Sequence, residues 1–243
     1  MTQQPKLQAL PEDWERALAV AAHPDDLEYG AASAIARWTS QGKEVVYLMV
    51  TRGEAGIDSM PPEEVGPLRM QEELNGAAIV GVDTVEFLDH RDGVVEYGLP
   101  LRRDIARAIR RHRPELIITG NYHMGWGPDS PLNMADHRWA GLAVLDAARD
   151  AGNRWIFPEL LDEGHEPWSG VRMVCVSGSP NRTHAVDVTD YVDKGVASLQ
   201  EHRVYLDNLG RDFDPDTFLR MNLNAVGEEF GCDYAVAFEV VRI

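Results

Sequence analysis

Between Ala19 and Trp38 the sequence reads AVAAHPDDLEYGAASAIARW, and an apolar run stops abruptly at His23, Pro24, Asp25 and Asp26. Two neighbouring carboxylates repel and raise each other's pKa unless something positive stands between them. A basic side chain, a helix N-terminus or a metal ion could fill that role. Three further clusters carry groups able to do chemistry: Arg52 and Glu54; Asp89, His90, Arg91 and Asp92; and, further on, His123, Asn133, Asp136 and His137. Two imidazoles and a carboxylate suit zinc with one position left open for water. His23 and Asp26 are near neighbours, and His137 could join them. If Asp26 held the metal, Asp25 would be free to take a proton from a metal-bound water. Taken alone, the stretch also fits a helix N-cap, because aspartate is among the best capping residues.

The elements that must position these groups alternate. Ala17 to Ala22 reads as a buried strand, and Leu27 to Ser40 has helical spacing. KEVVYLMVT is a second buried strand whose continuous apolar run predicts a parallel sheet. A helix over Pro67 to Val80, a strand at TVEFLD, a helix over Leu99 to His112, a strand at ELIITG and a helix over Ala135 to Ala151 follow. This βα alternation predicts an α/β protein, a three-layer α/β/α sandwich with a Rossmann-like, mostly parallel sheet. Beyond Gly152 the pattern weakens: MVCVSG and HAVDV look like short strands, Tyr191 to Leu206 like a helix and YAVAFEVVRI like a last strand. We therefore expect one domain over 1–243, with a core at about 15–152 and a C-terminal elaboration at about 153–243. In open α/β sheets ligands bind beyond the carboxyl ends of the strands, which is where all four polar clusters fall.

Composition narrows the function classes. Among 243 residues 44% are hydrophobic, as in a globular protein, and the formal net charge is -17. Such an acidic surface disfavours nucleic acid and anionic lipid as partners. No apolar run reaches the roughly 20 residues of a membrane span. The opening residues MTQQPKLQALPEDWERA are polar and lack the apolar stretch of a leader peptide. Two cysteines, Cys175 and Cys232, in no CxxC pattern suit a reducing cytoplasm and exclude a cysteine zinc site. GxGxxG after the first strand, GxxxxGK[ST] and GxSxG are all missing, which leaves dinucleotide binding, P-loop chemistry and a serine elbow unsupported.

The sequence resembles the LmbE/PIG-L family of zinc-dependent N-deacetylases. AHPDD followed by Glu28 matches that family's A-H-P-D-D-x-E signature. VTRGEAG, Arg69 with Glu72 before AAIVGV, LDHRDG, NMADHR, KGVASLQEH ending in His202, and YAVAFE continue the resemblance in order. The resemblance implies that His23, Asp26 and His137 bind zinc and that Asp25 is the general base. It implies that Arg69 and Asp92, and less directly Glu54, contact a sugar-like substrate. The implied reaction is removal of an acetyl group from an N-acetylglucosamine-type substrate by a hydrolase whose partners are N-acetylated sugars or their conjugates. It also allows a homo-oligomer, and iron in place of zinc.

One position departs from the pattern. Where the family often has a histidine that steadies the oxyanion, three residues before the last zinc ligand, this chain has Met134, which donates no hydrogen bond. His123 and Asn133 in the preceding loop are the nearest replacements, His123 for the catalytic set and Asn133 for substrate contact. The departure leaves two alternatives: an amidase acting on a thiol-sugar conjugate or N-acylated natural product, and an inactive metal- or sugar-binding protein.

Overall fold

The computed structural model describes residues 7–210 and 212–243. The first six residues of the segment read for a leader lie outside the described residues. Eight strands are found among the described residues: β1 (Gln8–Ala9), β2 (Arg16–Ala21), β3 (Glu44–Met49), β4 (Thr84–Phe87), β5 (Leu116–Thr119), β6 (Met173–Ser177), β7 (His184–Asp187) and β8 (Ala235–Arg242). They form one sheet in the order β1-β7-β8-β6-β5-β2-β3-β4. Every pairing is parallel except those of β8, which runs antiparallel to both β6 and β7. The α/β/α expectation therefore holds.

The helices are α1 (Asp26–Gly30), α2 (Ala32–Ser40), α3 (Pro62–Ile79), α4 (Leu99–His112), α5 (Ala135–Asp150), α6 (Glu159–Asp162), α7 (Val192–Gln200), α8 (Arg203–Asp207) and α9 (Pro215–Phe230). Alternation along β2 explains the layers. Ala17, Ala19 and Ala21 point to the face covered by α2 and the end of α3, where Trp14, Ile35 and Trp38 fill the core. Leu18 and Val20 point the other way, against α4 and α5. With both faces buried, the strand reads as an unbroken apolar run.

Three helical expectations are modified, and one helix was not expected. The helix expected over Leu27 to Ser40 is two, because Ala31 leaves the helical region at φ -137°. α3 begins at Pro62 rather than Pro67: Pro67 sits inside the helix on an exposed face near its start, where the carbonyl that loses its amide partner can be solvated. The helix expected over Tyr191 to Leu206 breaks at Glu201 and His202, since His202 turns fully inward. α9 was not anticipated, although its boundaries carry signals. Asp214 caps the amides of Asp216 and Thr217, Pro215 opens the helix, and Gly231 closes it at φ +104°.

Candidate functional site

β2 lies where the chain reverses direction across the sheet, with β3 and β4 on one side and β5 and β6 on the other. Crevices at such switch points are the usual ligand sites of open α/β sheets. His23, Pro24 and Asp25 follow the carboxyl end of β2 and lead straight into α1. Asp25 adopts φ +88°, a left-handed conformation uncommon outside glycine. This kink turns two consecutive acids in different directions, and neither caps α1 through its side chain.

His23, Asp26 and His137 come together: one donor atom from each lies within 4.8 Å of the others. Asp26 Oδ2 accepts the His23 backbone amide at 2.9 Å and lies 3.6 Å from His23 Nδ1. Asp26 Oδ1 lies 3.1 Å from His137 Nε2. The far nitrogen of each ring is held from behind. His23 Nε2 stands 3.0 Å from Asp92 and 3.2 Å from Asp136, and His137 Nδ1 stands 3.0 Å from Asn133 Oδ1. With each far N–H donating to an oxygen, a cation that displaced the near proton would meet the lone pairs of His23 Nδ1 and His137 Nε2 beside Asp26, the tautomers a metal needs. Asp25, Asp26, Asp92 and Asp136 face two imidazoles and the single guanidinium of Arg69, and four carboxylates around one permanent positive charge also fit a divalent cation.

The electrostatics follow from this crowding. Burial by itself lowers the His23 imidazole, but Asp136, Asp26 and Asp92 outweigh it and push it well above its ordinary value. Asp26 is held well below the carboxylate range because His137 and His23 overcome the burial that raises it. Asp25 is the exception: burial pushes it up to about 7, against the opposing charge of Arg69. The Arg69 guanidinium, 2% exposed, lies 3.1 Å from Asp25 Oδ2, donates to the Pro24 carbonyl and stacks 3.9 Å from the Tyr205 ring.

The remaining expected residues sit one step away from that centre. Asp92 backs His23 and accepts the Ala55 amide at 2.8 Å. Glu54 accepts the Asp92 amide at 2.9 Å and the Arg52 amide at 3.2 Å. Buried Asn133 spends its amide nitrogen on the carbonyls of Asn121 and His123 while its oxygen holds His137. His123 Nε2 is paired with Glu239 at 2.7 Å, and Met134 is exposed at the start of α5.

Sequence reasoning missed two features. Asp136, given no role of its own from the sequence, accepts the amides of Gly93 and Val95 and touches His23. Behind Asp25 lies a fully buried group: His202 Nε2 is 3.7 Å from Glu28 and 3.8 Å from Glu73. Burial pushes Glu28 up to about 8 and His202 down to about 3, so all three side chains are held neutral, Glu73 being raised well above its usual range as well. Polar side chains in KGVASLQEH and the helix before AAIVGV were the signal available for this group.

Residues 18–148 match the family model described as PIG-L: GlcNAc-PI de-N-acetylase, and the chain belongs to this family. It is 28% identical over 192 residues to diacetylchitobiose deacetylase of Thermococcus kodakarensis, covering 78% of this chain and 70% of that enzyme. It is 30% identical over 175 residues to 1D-myo-inositol 2-acetamido-2-deoxy-alpha-D-glucopyranoside deacetylase of Kineococcus radiotolerans, covering 56% of this chain and 48% of that one. In fold it is similar to N,N'-diacetylchitobiose deacetylase from Pyrococcus horikoshii, with a TM-score of 0.83 at 23% identity over 95% of this chain and 85% of that one. No helix among the described residues is long and apolar enough to cross a membrane.

Proposed function

We propose that the chain is a zinc-dependent N-deacetylase that hydrolyses the acetamide of an N-acetylglucosamine-type sugar. One observation carries the reading: His23 Nδ1, Asp26 and His137 Nε2 converge with their far nitrogens already occupied, beside a second carboxylate, Asp25, that is not needed to hold an ion. The acetylated amino sugars in the names of the two relatives support the substrate class. His23, Asp26 and His137 would hold the metal. When bound, a divalent cation supplies a Lewis acid for the amide carbonyl and acidifies a water.

The chain's own groups do the rest. Asp25 takes the proton of the attacking water as its oxygen bonds to the amide carbon. It returns that proton to the nitrogen as the carbon–nitrogen bond breaks, so the amine leaves neutral. Arg69 sits beside Asp25 and favours the ionised form that can accept a proton. Asp92 and Asp136 fix the His23 ring, Asn133 fixes the His137 ring, and Glu54 fixes the turn that carries Asp92. We assign these residues to positioning rather than to sugar contact, and His123 to a pair with Glu239 rather than to the oxyanion.

Metal analysis of the purified protein, coupled to a primary-amine release assay on N-acetylglucosamine, N,N'-diacetylchitobiose and sugar-thiol conjugates, tests the reading. We expect one zinc per chain and amine release from an N-acetylated sugar. Zinc-loaded protein that frees no amine from any of them would refute it.

A further inference from the structure

The sheet order splits the site into two unlike halves. On the β3 and β4 side of β2 stand the charged groups Glu54, Arg69 and Asp92. On the β5, β6 and β8 side lies a cavity of about 570 Å³ that shares Asp26 and His137 with the candidate metal centre. It extends to α9, where Phe218, Leu223 and Val226 line it, opposite Ala235 and Ala237 of β8.

Several polar side chains in the cavity wall are already engaged. Ser177 donates to the Thr119 carbonyl at 3.3 Å, Ser179 to Glu239 at 2.5 Å and Asn222 to the Phe218 carbonyl at 2.9 Å. Arg182 is paired with Glu229 at 2.7 Å. A second sugar ring would bring hydroxyls that compete for these bonds, and an unpaired polar group in such a place is costly. An aliphatic chain needs none of them.

Chemistry fixes which half of an amide enters. The nitrogen must lie next to the group that returns its proton, Asp25, which faces Arg69 and Glu73 of α3 and is not part of the cavity wall. The acyl half then points the other way, past Asp26 and His137. An acetyl group ends there in one methyl, whereas the cavity falls in the size range of sites for drug-sized ligands. We propose that this cavity is an acyl-binding subsite and that the preferred substrate is an amino sugar bearing a medium-length, unbranched N-acyl chain. The inference rests on the amide-hydrolase reading above, keeps its amino sugar, and puts a longer acyl chain in place of acetyl as the preferred leaving acid.

Two measurements test it separately from that reading. The first is kcat/KM for glucosamine N-acylated with acetyl, butanoyl, hexanoyl and octanoyl groups, with N,N'-diacetylchitobiose alongside. A buried methylene is worth roughly fourfold, so we expect N-hexanoylglucosamine to exceed N-acetylglucosamine by at least about tenfold. Val226→Trp, which fills the cavity from α9, should bring that ratio close to one. A fastest rate with N-acetylglucosamine or with the disaccharide would overturn the proposal.

The second is calorimetric binding of hexanoate and acetate to the zinc-loaded protein. Both present the same carboxylate, so the difference reads the chain alone. Hexanoate binding at least about tenfold tighter supports the subsite even if no amide is cleaved, in which case only the hydrolase reading fails. Equal affinities overturn the subsite whatever the activity.

Discussion

Glu73 Oε2 accepts the backbone amide of Asp25 at 3.0 Å, across 48 residues of sequence. Asp25 is held there at φ +88°, and that twist separates its carboxylate from that of Asp26. A strained backbone persists only where its surroundings over-determine it, and Glu73, with the nearby Arg69, is what constrains this one. Glu73→Ala should lower kcat by about 10² with zinc content unchanged, since a displacement of about 1 Å in a reacting group has that effect. Glu73→Gln keeps an acceptor oxygen and should stay within a few-fold of the parent. Loss of zinc in Glu73→Ala would show a purely structural role.

Asp25→Asn should keep the metal and lose turnover by about 10²–10⁴, the usual worth of a positioned acid–base group. His137→Ala should instead lose the metal. Metal analysis and amine release on the same preparations distinguish the two. Undiminished hydrolysis by Asp25→Asn would remove that carboxylate from the mechanism.

Asn133 touches the expected metal ligands through His137 Nδ1. Asn133→Ala should therefore weaken zinc binding by about 10–100-fold, as loss of such an outer partner does elsewhere. At saturating zinc kcat should recover. A competitive chelator titration reads the affinity, and an unchanged zinc constant would count against the role.

His202 supplies a pH dependence with a definite sign. Burial, then the charge of Arg69, lowers its pKa from an ordinary 6.5 to about 3 in the folded protein. Between those two values the unfolded chain binds a proton that the folded chain refuses, so this contribution to stability is complete above about 6.5 and declines as pH falls towards 3. Glu28 and Glu73, raised by burial, act in the opposite direction. The readout is thus a difference: the stability advantage of the parent over His202→Gln in urea unfolding should shrink steadily as the pH is lowered through that window. A gap that stays constant would mean His202 titrates normally.

How much of this could be read in advance varies with distance along the chain. The βα alternation up to α5 follows from short apolar runs and period-3.6 patterns within single windows, and most of its strands lie within a residue or two of expectation. The single helix expected over Tyr191 to Leu206 divides into α7 and α8 because the break is imposed by burial of His202 against Glu28 and Glu73, not by any local breaker. Antiparallel β8 wedged between β6 and β7 was equally unreadable, since strand pairing is a through-space choice.

By itself the sequence determined the sheet layers and the local kernel of the site. Buried parallel strands must be apolar on both faces, and His23, Asp25 and Asp26 are close enough in sequence that no fold could part them. Tertiary structure alone decided which nitrogen of each ring is free, which carboxylates stand behind His23, that Glu73 grips Asp25, and that α9 and β8 close an apolar cavity over the other flank. Those outcomes depend on contacts between residues far apart in the chain. Periodicity records which face of an element is buried, but not which partner buries it.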